Sequence, residues 1–413
     1  MTRSFLFLQG PQSPFFHTLG RAVEQTGCLV RKVNVCGGDD FLWPTQADTV
    51  CYRGWKATRE AWPAFIAGLY ERVGTTDIVL QGDWRPLHLD AVNLARTRGL
   101  RIWVFEEGYL RPNWVTLEEG GVNGTSSLPK TPEAILALDR RFQEEGLAVP
   151  CDSHAPAGRD VRFKQAARHH LGNTVRFFKY PWFKTHRPYI VGKELIGWFP
   201  RHFRKKRRMI DSQKTWREIV AEGTPFYFMP LQLDADSQIR RWSPFSGVLE
   251  SIATVVADFV RNAPRGTLLV IKNHPLDNGL INYRKYMRSI GEANGCSTRM
   301  RFLEDGIDAD ELIQRSIATV LCNSTVGFSA LRQGKPVYCL GQAVYKMPGL
   351  ATSAEEMPLA EFWHHPPAPD MELVEAFVRV IKISALVRGN FYSPQGIAEA
   401  VEGSLVRMGL KQA

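Results

Sequence analysis

No apolar run in the 413 residues approaches the roughly 20 needed to cross a bilayer. The opening MTRSFLFLQG is too short for a secretory leader and reads as a first buried strand, so a cytoplasmic chain is expected. The seven cysteines (Cys28, Cys36, Cys51, Cys151, Cys296, Cys322, Cys339) are scattered, odd in number and include no CxxC pair. That argues against a disulfide framework and a structural zinc site, and suits a reducing compartment. Neither GxGxxG nor GxxxxGK[ST] occurs, so a dinucleotide fingerprint and a P-loop are both unsupported. Ser/His/Asp and Cys/His nucleophile signatures are not evident. No internal repeat or low-complexity tract interrupts the chain.

What is present begins with charge. The net charge is +10, and it is concentrated. Residues 159–217 hold 17 Lys and Arg against three acids, which leaves 35 basic and 39 acidic residues elsewhere. Aromatics interleave with these cations in VRFFKYPWFKTHRPY and GWFPRHFRKKRRM. A solvated surface excursion is the plain reading, but it would expose Phe and Trp. Nucleic acid is one candidate partner. An anionic membrane surface is preferred, with Trp182 and Phe183 entering the interface and Arg204, Lys205, Lys206, Arg207 and Arg208 meeting phosphates.

Hydropathy gives the fold class. SFLFLQG, CLVRKVNV, DIVLQG and LRIWVFEEG read as strands separated by helices over 15–25, 57–73 and 86–98. Nearly continuous apolar strands alternating with helices predict parallel sheets covered on both faces. The alternation lapses over 110–160 and resumes near 225 with TPFYFMPLQ, GTLLVIKNHP, TRMRFLE, ATVLCNST and PVYCLG. The tail, 372–409, reads as helical. The expected architecture is α/β and GT-B-like: two Rossmann-like, doubly wound domains facing across a cleft. The expected divisions are 1–158 for an acceptor domain, 159–217 for a basic membrane-facing segment, 218–390 for a nucleotide-sugar domain, and 391–413 for a helix packing back on the first domain.

In such sheets ligands lie beyond the carboxyl ends of the strands, and the polar motifs fall there. In CNSTVGF, Asn323, Ser324 and Thr325 lead from a strand into a helix. They could cap that helix or help its amides hold an anion. In KNHP, Lys272 and His274 share one strand face, with Pro275 restricting the backbone. They could offset a leaving phosphate, with His274 donating a proton. In PLQLDADSQ, Asp234 and Asp236 are too few for a metal site; they are turn residues, or a nucleophile or base at an anomeric carbon. Asp308 and Asp310 read as helix-start acids. Glu106 and Glu107 end a first-domain strand on opposite faces, so one could meet an acceptor hydroxyl.

With these residues assembled, the chain resembles the capsule polysaccharide β-Kdo transferases of Gram-negative bacteria, of the shorter, single-module KpsS-like type. The resemblance rests on FLQGPQSPFF, EEGYLRPxWVTLExxGVNG, PLQLDADSQ, KNHP and CNSTVGFSALRQGKPVYCLG. It implies a retaining, metal-independent glycosyltransferase with no cofactor. CMP-β-Kdo would be the donor and a phosphatidylglycerol-type lipid the acceptor, and the poly-Kdo capsule linker would begin there. A QxxxD pattern falls on Gln232 and Asp236, with Asp236 as nucleophile. A His-Pro pair falls on His274 and Pro275, and a phosphate-binding region on Asn323 to Thr325. An acidic pair falls on Glu106 and Glu107, although the second position departs from the Asp of the longer relatives. The implied place is peripheral, on the inner face of the inner membrane, with capsule biosynthesis and export proteins as partners. The alternatives are another CMP-sugar transferase, a nucleic-acid-binding protein and a capsule-export scaffold.

Overall fold

The computed structural model describes residues 2–44, 49–51, 59–156, 159–181, 183, 191–234 and 236–412. Its contacts divide the chain into two units. Unit 1 comprises Met1–Leu128, Gly146–His186 and Val380–Ala413, and unit 2 comprises Pro129–Glu145 and Arg187–Arg379. The chain therefore passes between units at places other than the expected boundaries. The basic segment 159–217 is shared between them. Its helix Arg159–Val175 lies in unit 1, and the long helix Val191–Glu222 lies in unit 2.

The strands among the described residues are β1 Ser4–Phe7, β2 Leu29–Asn34, β3 Thr49–Cys51, β4 Asp77–Gln81, β5 Arg101–Glu107, β6 Trp114–Glu119, β7 Phe226–Pro230, β8 Leu268–Lys272, β9 Met300–Leu303, β10 Thr319–Leu321, β11 Val337–Cys339 and β12 Leu386–Arg388. Unit 2 holds a wholly parallel sheet in the order β11-β10-β7-β8-β9. Unit 1 holds β12-β6-β5-β4-β1-β2-β3, parallel from β5 to β3 and antiparallel at β5-β6 and β6-β12. Both units belong to the expected doubly wound α/β class.

Alternation along β1 shows how the unit 1 core is built. Phe5 and Phe7 join one apolar cluster, with Phe15, Leu19, Val401 and Leu405. Leu6 and Leu8 join the other, with Ile66, Ile78 and Val104. The period of two sends successive side chains to opposite faces, and each face is covered by helices. In the helix Phe15–Gln25, Phe15, Leu19 and Val23 stand four apart and are fully buried. The tail helix Pro394–Arg407 closes the same face.

Three strands escape the sequence pattern, and the first is β3, three residues at the sheet's edge. β6 returns antiparallel straight after β5, so no helix separates them. β12 is three residues long and interrupts a tail expected to be helical throughout. The turn before β6 explains much of EEGYLRPxWVTLExxGVNG. A Cβ on Gly108 would stand 2.2 Å from the Trp114 carbonyl oxygen, so only glycine fits. Tyr109 donates its hydroxyl proton to Glu118 at 2.6 Å and accepts from the Asn123 amide at 2.8 Å. Ser126 donates to the other Glu118 oxygen.

Glu118 is buried, and burial pushes its carboxyl up to about 7. Hydrogen bonds from Ser126 and Tyr109 and the charge of Arg407 oppose that rise, and Asp83 adds to it. The ordinary value is 4.5, so the unfolded chain gives up this proton first as pH rises. The contribution of Glu118 to stability is complete below about pH 4.5 and is lost as pH climbs to about 7. Glu118→Gln stays neutral throughout. Its unfolding free energy relative to wild type should rise by about 3 kcal/mol between pH 4.5 and pH 8 in urea titrations. Parallel pH profiles for the two proteins would mean that the carboxyl is ionised in the fold.

Candidate functional site

In unit 2, β10, β7 and β8 are neighbours, so three segments distant in sequence end side by side at one sheet edge. They are 231–236 after β7, 273–277 after β8 and 322–325 after β10. The edge is cross-linked. Gln232 Nε2 donates to Asn323 Oδ1 at 3.0 Å, and the Asn323 amide donates back to Gln232 Oε1 at 3.3 Å. The Leu231 amide donates to the Lys272 carbonyl at 2.8 Å.

Asn323 Nδ2 also donates to the carbonyls of Gln238 and Trp242, at 2.8 and 3.1 Å. Both carbonyls belong to the short helix Ser237–Trp242. Gln232 and Asn323 were expected to bind the donor. Both are buried and commit their amides to the protein, so here they position the Asp236 helix.

Asp236 is the N-cap of that helix, and its carboxylate accepts the Gln238 amide at 3.0 Å. The residue is half-buried. Asp234 accepts the Val248 amide at 3.2 Å, at the head of the helix Val248–Asn262, and pairs with Arg240 at 3.5 Å. Each acid of D-x-D therefore serves a helix start. Asp308 caps the helix Ala309–Arg315 by accepting the Asp310 amide, as expected for a structural acid.

His274 is half-buried, and its Nδ1 accepts the Leu276 amide at 3.0 Å. A neutral imidazole bonded in this way carries its proton on Nε2. Pro275, next in line, is exposed. Lys272 is buried, with its ammonium 3.5 Å from the Asn273 carbonyl. Burial, the largest influence, lowers its pKa; Asp305 and Asp308 oppose that and Arg201 adds to it.

The opening of the helix Val326–Arg332 corrects an expectation. Ser324 Oγ accepts the Val326 amide at 3.3 Å, the Ser324 carbonyl accepts Gly327 at 3.0 Å, and the Thr325 carbonyl accepts Phe328 at 3.1 Å. These first-turn amides have acceptors within the chain, the Ser324 hydroxyl and two backbone carbonyls, while Thr325 at the N-cap makes no side-chain cap bond. Ser324 and Thr325 remain half-exposed at the sheet edge.

In unit 1, Glu106 and Glu107 diverge as alternation requires. Glu107 accepts from the Tyr392 hydroxyl at 2.9 Å and pairs with Arg162 at 3.3 Å. Burial works against the Arg162 charge, but Glu107, Tyr392 and Glu106 together raise its pKa. Glu106 turns its carboxylate toward the backbone at Gly82, where an added Cβ would lie 3.2 Å from Oε2, and also accepts the Glu107 amide at 3.1 Å. Glu107 thus braces Tyr392 and Arg162, and Glu106 lies against the turn at Gly82.

The basic segment also sorts itself. Arg204, Lys205, Lys206 and Arg207 are exposed beside an exposed Phe203. Arg208, expected to face a membrane, instead pairs with Asp305 at 3.0 Å and Glu304 at 3.8 Å. Buried Arg201 bridges Asp277 and Asp305, fastening the long helix to the ends of β8 and β9. Phe183 is half-buried against the unit 1 core, so it faces protein. Trp182 lies outside the described residues. The larger apolar exposure comes from unnamed positions: Phe163, Leu171, Val175, Phe177 and Phe178, the last 92% exposed. Steps of four and eight place Phe163, Leu171 and Val175 along one helix face, a pattern available in the sequence. No helix among the described residues is long and apolar enough to cross a membrane.

A family model described as capsule polysaccharide biosynthesis protein matches residues 76–392. The chain is 32% identical over 393 residues to the capsule polysaccharide modification protein LipB of Neisseria meningitidis serogroup A, covering 94% of this chain and 92% of the relative. It is 31% identical over 391 residues to the capsule polysaccharide export protein KpsS of Escherichia coli, covering 94% and 97%. Among solved structures, the β-Kdo 2,7 transferase of Thermosulfurimonas dismutans KpsC aligns over 97% of this chain and 99% of that one, with 14% identity and a TM-score of 0.46. The family match spans both units and takes in Glu106, Asp236, His274 and Asn323, and with it this chain belongs to the capsule polysaccharide biosynthesis family.

Proposed function

We propose that the protein is a retaining β-Kdo transferase. It moves Kdo from CMP-β-Kdo to a (lyso)phosphatidylglycerol acceptor and so begins the poly-Kdo linker of capsular polysaccharide. The observation that carries this reading is the convergence of Asp236, Lys272, His274 and Ser324–Thr325 on one edge of the unit 2 sheet, in a chain of the capsule family.

The bond from the Kdo anomeric carbon to the phosphate oxygen breaks, and charge collects on the departing CMP. Lys272 and the Nε2 proton of His274 meet that charge, helped by the hydroxyls of Ser324 and Thr325. A single phosphate is offset by two such groups, so the reading calls on no divalent ion and no cofactor. Asp236 attacks the anomeric carbon, and the acceptor oxygen then displaces it, which retains configuration. The acceptor hydroxyl gives up its proton to a general base as it attacks. The lipid is reached from the inner face of the inner membrane, where the exposed aromatics enter the interface and Arg204–Arg207 meet anionic headgroups.

Because Asp236 is also a helix cap, the charge and the cap must be separated. Asn caps as well as Asp, whereas Ala costs about 1 kcal/mol. Asp236→Asn should keep wild-type thermal stability yet lose at least about 100-fold in transfer from CMP-Kdo to a fluorescent lysophosphatidylglycerol. His274→Asn keeps an acceptor near the Leu276 amide and should lose a similar factor. Near-wild-type turnover in both variants would remove the assignment, and competition with CMP-sialic acid would test the donor.

Vesicle flotation tests the surface. Vesicles with phosphatidylglycerol should carry the protein up, and neutral ones should not. Raised salt and Phe163→Ser/Phe178→Ser should each weaken binding several-fold. Tight duplex DNA binding without flotation would favour nucleic acid as the partner.

A further inference from the structure

We propose that Cys36, Asp39 and His169 form a binding site for one divalent transition-metal ion, with zinc the best fit to a thiolate, a carboxylate and an imidazole acting together. The inference rests on unit 1 alone and is independent of the transfer chemistry above. One ligand atom from each residue lies within 4.8 Å of the other two, and all three residues are buried. Cys36 is the N-cap position of the helix Gly37–Leu42, and Asp39 follows one turn later, so the pair shares one side. His169 arrives from the helix Arg159–Val175.

The approach of these two helices is built from glycine. A Cβ on Gly37 would stand 2.2 Å from the Gly172 carbonyl oxygen, and one on Gly38 would stand 2.1 Å from His169 Nδ1. No other residue would let the imidazole lie so close to the Cys36–Asp39 turn. The Gly38 amide donates to Asn173 at 2.7 Å, which fixes the register of the contact.

Surrounding groups orient the ligands as outer hydrogen bonds do in metal centres. The Val35 amide donates to Asp39 Oδ2 at 3.0 Å and Gln9 Nε2 to Oδ1 at 3.3 Å. Each carboxylate oxygen keeps a second lone pair for an ion. Gln9 Nε2 is also 3.6 Å from Cys36 Sγ, a contact that strengthens when the sulfur carries charge. Arg85 holds Gln9 through its Oε1 at 3.1 Å. Three protein ligands leave the fourth tetrahedral position to water. Loading the site releases the Cys36 thiol proton to solvent. The ion then pins the helix bearing Phe163 to the rest of unit 1, next to the ion pairs of Asp40 with Arg176 and Lys179.

The test uses the full chain, stripped by chelator and then given Zn²⁺ or Co²⁺. Elemental analysis after gel filtration should find one metal per chain, and the melting temperature should rise on loading. The cobalt form should show sulfur-to-metal charge-transfer absorption in the near ultraviolet. Cys36→Ser should abolish that absorption, and His169→Gln should reduce retained metal by about tenfold or more. Circular dichroism checks that both variants fold, and the wild-type cobalt spectrum stands without them. Failure of wild type to retain metal, a cobalt form without sulfur absorption, or wild-type retention in both variants would overturn the proposal.

Discussion

The Gln232–Asn323 amide pair holds the working edge of unit 2 together. Parallel strands share backbone hydrogen bonds only along their length, and past their last residues nothing in the sheet fixes one loop against another. Here two buried side chains take over that task, and Asn323 extends it to the helix that begins at Asp236. In a buried setting such bonds are costly to leave unmade, so the arrangement is stiff. The candidate nucleophile thus stands on an element braced from a strand other than the one that precedes it.

Comparable bracing recurs in unit 1. Glu107 is held by Arg162 and Tyr392, and Glu118 by Tyr109 and Ser126. Residues that look like chemistry in one dimension divide into those that brace the fold and those left at a strand end. Asn323, Gln232, Glu107 and Arg208 hold. Lys272, His274 and Ser324 stand at the unit 2 sheet edge where reaction is proposed.

The basic segment shows the same division at larger scale. A run of 17 cations reads as one surface. Folding places its first helix in unit 1 and its second in unit 2, and it turns Arg201 and Arg208 inward onto Asp277, Glu304 and Asp305. Charge counting cannot anticipate this, because the acids that neutralise those arginines lie 76 to 104 residues further along the chain.

The sequence by itself determined the α/β class, nearly every parallel strand and the placing of polar motifs at strand ends, because strand alternation and helix periodicity are local. Phe5 to Leu8 face alternate cores for no reason beyond a period of two. Tertiary structure alone decided that β3, β6 and β12 join the sheet, that the first-turn amides after Thr325 find acceptors within the chain, that Glu107 pairs with Arg162, and that His169 meets Cys36 and Asp39. Each of those outcomes depends on a partner distant in sequence or on hydrogen-bond geometry at a turn, and composition and spacing carry no record of either.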